Sequence, residues 1–110
     1  MSTRLYLGEL EELALLMVAL LSNEAYAVSI MEELKNQAGR EISLSAVHAV
    51  LHRLEEKGFV RSKMGGASDE RGGRRKRMFY ITAYGRDVLE EQRNLRDVIW
   101  NQIGKISLSR

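Results

Sequence analysis

The chain has no cysteine and no proline among its 110 residues. Without thiols it can form neither a disulfide framework nor a thiolate metal site. The lack of proline suits a helix-rich fold, because no helix is broken by a missing N–H. Aromatics are scarce, with one Trp, two Phe and four Tyr, and the only histidines are His48 and His52. The longest apolar run, Leu13–Leu21, is too short to span a bilayer. Glu9, Glu11 and Glu12 precede it where a signal peptide would carry basic residues, so the cytoplasm is the expected location and no membrane partner is expected. Nucleophile-elbow, Walker and dinucleotide fingerprints are also missing. Gly65-Gly66 and Gly72-Gly73 flank charged residues and do not lead from a strand into a helix. Neither an enzyme activity nor a cofactor is therefore predicted.

What the chain does have is an uneven charge. The net +2 splits into −4 over residues 1–60, +5 over residues 61–77 and +1 over the remainder. A basic segment on a slightly acidic body predicts a localised anionic partner. The length fits one modest core.

Periodicity places four helices and a hairpin. The first helix is expected from Gly8 or Glu9 to Leu21, with Leu10, Leu13, Leu16, Met17, Leu20 and Leu21 as its apolar stripe and Ala14, Val18 and Ala19 broadening it. The second runs from about Ala25 to Gln37 and ends at Gly39. Arg40-Glu41-Ile42 then leads onward and could add a short third strand. The third helix has Ser43 or Ser45 as its cap, Val47, Val50, Leu51 and Leu54 on one face, and Gly58 as its stop. Strands are expected at Phe59–Met64 and at about Arg74–Ile81, joined by the Gly-rich stretch 65–73. Alternation puts Arg75, Arg77, Phe79 and Ile81 on one side of the second strand, with Arg74, Lys76, Met78 and Tyr80 on the other. Thr82 can cap a long last helix with apolar Val88, Leu95, Val98, Ile99, Ile103 and Ile106. The expected fold is mainly α with a small β hairpin: a winged helix-turn-helix over residues 1–82 and a C-terminal dimerisation helix over 83–110. The last helix is expected to pack on a second subunit, giving a homodimer. Folding back onto its own core is the alternative.

The third helix and the hairpin are the candidate site. Ser45, His48 and His52 lie on the face opposite the apolar stripe and are predicted to reach bases of double-stranded DNA. Arg53, Arg74, Arg75, Lys76 and Arg77 are predicted to reach phosphate. Ser43, Ala49 and Arg71 complete the predicted DNA-contact set. His48 and His52, with Glu55 or Glu56 one turn on, also have the spacing of zinc ligands. No further histidine supplies another convergent ligand, so no metal is predicted. Leu13, Ala14, Met17 and Val18 on the first helix, with Leu95, Val98, Ile99, Trp100 and Ile103 on the last, are the predicted dimer or ligand interface. Trp100 either packs that interface or, paired across a two-fold axis, sandwiches a small aromatic effector. A winged helix used only for protein–protein contact is the competing functional class; such a wing need not be this basic.

Several stretches taken in order resemble the PadR family of winged-helix transcriptional regulators. They are Leu7-Gly8-Glu9-Leu10-Glu11-Glu12-Leu13, Glu24-Ala25-Tyr26, Gly39 through Val47, Leu51 through Val60, Glu70 through Arg77, and Tyr80-Ile81-Thr82-Ala83-Tyr84-Gly85. The resemblance implies a dimeric repressor that binds a palindrome, with the third helix in the major groove and the wing on flanking backbone. It also implies release, in some members, by a small aromatic molecule near the dimer interface. The chain departs from the family pattern at Ala27, where glycine is usual, and at His48, where tyrosine is usual. The contacts of the third helix therefore do not transfer residue by residue.

Overall fold

The computed structural model describes residues 7–65 and 75–106, with side chains as far as Ile103. Helix α1 spans Glu9–Leu21, α2 Ala27–Ala38, α3 Leu44–Glu56 and α4 Ala83–Ile106. Strands β1 (Val60–Met64) and β2 (Arg77–Ile81) lie between α3 and α4. They pair antiparallel in the register Val60↔Ile81, Ser62↔Phe79 and Met64↔Arg77. The architecture is the expected one, mainly helical with one small hairpin. Some boundaries differ. A 3-10 turn at Ser22–Glu24 delays α2 to Ala27, and β2 begins at Arg77. Arg40-Glu41-Ile42 forms no strand. The carbonyl of Ala25 instead takes the Phe79 N–H at 2.8 Å, tying the α1–α2 link to the hairpin.

Local chemistry sets most element ends. The Ser43 hydroxyl accepts the Ala46 N–H at 3.1 Å and caps α3, while Ser45 Oγ lies 3.3 Å from Ser43 Oγ. Gly39 (φ +66°) and Gly58 (φ +84°) close α2 and α3 in the left-handed region that only glycine enters without strain. Thr82 Oγ1 accepts the Gly85 N–H at 3.0 Å and caps α4.

The core gathers Leu15 and Val18 of α1, Ile30 and Leu34 of α2, Val47, Val50, Leu51 and Leu54 of α3, and Phe59 and Phe79 of the hairpin. The phase of α1 corrects the expected stripe. Leu15 is fully buried, whereas Leu16 and Leu20 are 42% and 57% exposed. Ala14, Met17 and Val18, expected at a subunit interface, are buried in this core. Leu13 is half-buried against it. The physical reason is that α1 is apolar almost all round, so periodicity alone does not choose the inward face.

Helix α4 packs on its own core at its start only. Val88 and Leu89 pack into the core, so that core runs across residue 82. Gln92 Oε1 accepts the Leu7 N–H at 3.2 Å, and Arg96 bonds Glu12 at 3.3 Å. Beyond these anchors Leu95, Val98, Ile99, Trp100 and Ile103 are exposed, Trp100 by 71%. One helix face thus begins in the core and continues past its edge, because 24 residues extend about 36 Å. Among the described residues no helix is long and apolar enough to cross a membrane.

Candidate nucleic-acid interface

Helix α3 buries Val47, Val50, Leu51 and Leu54. Helical geometry therefore turns Ser45, Ala49, His52 and Glu56 outward, and all four are exposed. Ser43 and His48 are exposed as well. The predicted base-reading residues Ser45, His48 and His52 thus lie on the exposed side of α3. The last turn carries Glu55 and Glu56 at its surface. Glu56 lies 3.2 Å from His52 Nε2, and Glu55 faces the hairpin. Among the described residues no group of three His, Cys, Asp or Glu side chains converges to hold a metal ion.

The hairpin is tied to this helix through a polar chain. Ser62 Oγ donates to Glu55 at 2.9 Å, and Arg77 donates to Ser62 Oγ at 3.1 Å. The register turns Arg77, Phe79 and Ile81 to one face, with Phe79 buried. Arg61, Lys63 and Tyr80 occupy the opposite face and, with Asn23, line a groove of about 390 Å³. Arg75 and Lys76 are exposed. Lys76 Nζ sits 4.1 Å from the centroid of the Tyr26 ring, a cation–π contact that orients a predicted phosphate ligand. Arg71 and Arg74 lie outside the described residues.

Arg53, predicted to reach phosphate, is paired within the chain. It lies on the flank of α3 that faces α1, and its Nε donates to Glu11 Oε2 at 3.2 Å. Lys57, one turn on, donates to both oxygens of Glu11 at 3.0 Å. The Gly8 N–H donates to Glu11 Oε1 at 2.9 Å. The Glu11 carboxylate is therefore buried but fully engaged. Its spacing carries a signal, since Glu11 falls at the start of the stripe Ala14, Leu15 and Val18. On the sequence alone it reads only as an early acid suiting the helix dipole. Tyr26 likewise reads as a core residue, and nothing local marks it as the seat of Lys76.

Burial pushes the Glu11 carboxyl up, but the Gly8 N–H, the Lys57 ammonium and the Arg53 guanidinium together hold it below the ordinary glutamate range. A folded-state pKa below the unfolded one adds stability that is complete above about pH 4.3 and is lost as pH falls through the folded value. Chemical denaturation across that window should therefore show the gap between wild type and Glu11→Gln shrinking as pH falls. A gap independent of pH would contradict the pairing.

A helix-turn-helix whose second helix stands exposed beside a basic hairpin defines a winged-helix regulator of transcription. The chain belongs to the transcriptional regulator PadR-like family, whose model matches residues 15–91. Solved structures agree on the fold. The chain is similar to a PadR family transcriptional regulator from Eggerthella lenta DSM 2243, at 24% identity and TM-score 0.67, over 93% of this chain and 88% of that one. It is also similar to a PadR-like transcriptional regulator from Bacillus cereus strain ATCC 14579, at 18% identity and TM-score 0.70, over 88% and 89%. A third likeness is to a PadR family transcription regulator from Clostridium difficile R20291, at 19% identity and TM-score 0.67, over 84% and 95%. No curated protein matches the chain.

Proposed function

We propose that this regulator binds duplex DNA as a homodimer and represses transcription. The observation that carries the reading is the Arg77–Ser62–Glu55 chain, which makes the exposed face of α3 and the basic hairpin one unit. In this reading α3 enters the major groove. Ser43, Ser45, His48, Ala49 and His52 face base edges or the adjoining backbone. His52 is oriented by Glu56 through Nε2 and turns its remaining ring edge to the groove. Arg75, Lys76 and Arg77 meet phosphate, together with Arg71 and Arg74.

The winged-helix unit over residues 1–82 carries the DNA contacts, and residues 83–110 carry the dimer contact. Support comes from the exposed apolar side chains Leu95, Val98, Ile99 and Trp100 on α4, with Leu16 and Leu20 on α1. So large a set of exposed apolar groups marks an interaction surface. A small planar effector held at this surface would quench Trp100 fluorescence and weaken DNA binding.

The test is gel shift against genomic fragments at about 50 and 200 mM salt, where a dimer making six to ten phosphate contacts loses about a thousandfold or more in affinity. Preferential retention of a few fragments supports sequence-specific regulation. Absence of any binding at the lower salt would favour a protein-interaction module. Arg75→Ala and Lys76→Ala should each weaken binding to all sequences alike and lower the magnitude of the salt slope by about 1 for each phosphate left unneutralised. A changed sequence preference with an unchanged slope would contradict the assignment.

A further inference from the structure

Glu11 is unusual among the acids of this chain. It projects from the buried face of α1, retains 7% exposure, and is the only buried charged residue among the described ones. Its two oxygens take four donor contacts from three residues: the Gly8 N–H, Arg53 Nε and two from Lys57 Nζ. Arg53 and Lys57 are the two cations of α3 and its cap, four residues apart on the flank facing α1. Both reach the surface, with side-chain exposures of 51% and 34%. A carboxylate that receives a guanidinium and an ammonium together presents the same acceptor chemistry as a phosphate oxygen pair.

Resting on the reading that α3 and the hairpin hold duplex DNA, we infer that Glu11 is an internal stand-in for phosphate that keeps Arg53 and Lys57 out of the DNA contact and fixes the seating of α3 against α1. Two consequences follow for recognition. Affinity that does not depend on sequence is lowered, because both cations are held at Glu11 and one of their two charges is cancelled by its carboxylate. Engagement is also biased toward the stretch of α3 where Ser45, His48 and His52 are exposed, because its last turn presents Glu55 and Glu56 while Arg53 and Lys57 are held at Glu11. Glu11 is thus a positioning residue that raises the ratio of specific to non-specific binding without touching DNA.

The experiment compares wild type, Glu11→Gln and the double variant Arg53→Gln/Lys57→Gln on a random-sequence duplex, and on a retained genomic fragment, across about 50 to 200 mM salt. Glu11→Gln keeps the acceptor for Gly8 but removes the charge. Its slope of log affinity against log salt should steepen by about 0.9 for each cation released to phosphate. Affinity for the random duplex should rise, and the preference for the retained fragment should fall. The double variant should leave the wild-type slope unchanged. An unchanged or shallower slope in Glu11→Gln, with wild type still binding, overturns the inference alone. So does a shallower slope in the double variant, which stands as the test if Glu11→Gln does not fold. A merely structural role for Glu11 would lower stability without steepening the slope. Failure of wild type to bind any duplex at the lower salt overturns the DNA reading itself, and the inference with it.

Discussion

Gly85→Ala is expected to destabilise the domain by about 2 kcal/mol or more, even though alanine is the better helix former. Gly85 is buried in the first turn of α4. A Cβ built there falls far inside van der Waals contact with the Phe59 carbonyl oxygen, 3.0 Å from Ile81 Cγ1 and 3.1 Å from the Phe59 carbonyl carbon. Backbone cannot yield as the tip of a flexible side chain can. The Phe59 carbonyl accepts from the Thr82 N–H at 3.0 Å and lies 3.1 Å from Thr82 Oγ1, and the Phe59 N–H donates to Leu54 O at 2.9 Å. Moving α4 outward to make room would open these bonds and uncover Phe59, which is fully buried. Overpacking costs about 1–3 kcal/mol and occasionally more. Helix propensity returns about 1 kcal/mol, and the rigid surroundings put the clash at the upper end. Thermal unfolding followed by circular dichroism should show the midpoint falling by about 4–8 °C per kcal/mol. A midpoint within a few degrees of wild type would mean that α4 does not dock this closely on β1 and β2.

Ile99→Glu is expected to yield a monomer that retains its fold and loses about 10²- to 10⁴-fold in affinity for a two-half-site operator. Ile99 is 49% exposed in the single chain and lines, with Leu7, Gln92, Leu95 and Arg96, a shallow groove of about 160 Å³. A carboxylate there remains hydrated in the monomer, so stability should change little. Under the proposed dimer the same position is covered by a second copy. The charge would then lose its water without gaining a partner, at a cost of several kcal/mol. Light scattering after gel filtration reads the oligomeric state, and titration of one- and two-half-site duplexes reads the linkage. Single half-site affinity should be unchanged in the variant. An Ile99→Glu chain that still binds two half-sites as tightly as wild type would move the dimer contact away from α4. Ile99→Leu serves as the conservative control and should behave as wild type.

The features that the sequence determined by itself are those with local causes. Periodicity, a capping hydroxyl at Ser43 or Ser45 and glycines at 39 and 58 are enough to delimit α3 to within a turn and end α2, because each acts within one or two turns. The basic character of the hairpin is a matter of composition, and the alternation of Arg77, Phe79 and Ile81 follows from strand geometry. The order of helices and strands, and hence the fold class, was legible for the same reason. Other features depend on contacts far apart in the chain. The inward phase of α1 was hidden because apolar residues surround that helix, so only packing against α2 and α3 could select Leu15 over Leu16. The capture of Arg53 and Lys57 by Glu11 spans 42 and 46 positions of the chain. Periodicity marked Arg53 as surface, but only the fold revealed that a buried carboxylate already occupies it. The seat of Lys76 on Tyr26 and the division of α4 between core and open surface were decided in the same way. Spacing along the chain places a side chain on a face; what that face meets is set by how the helices and hairpin pack.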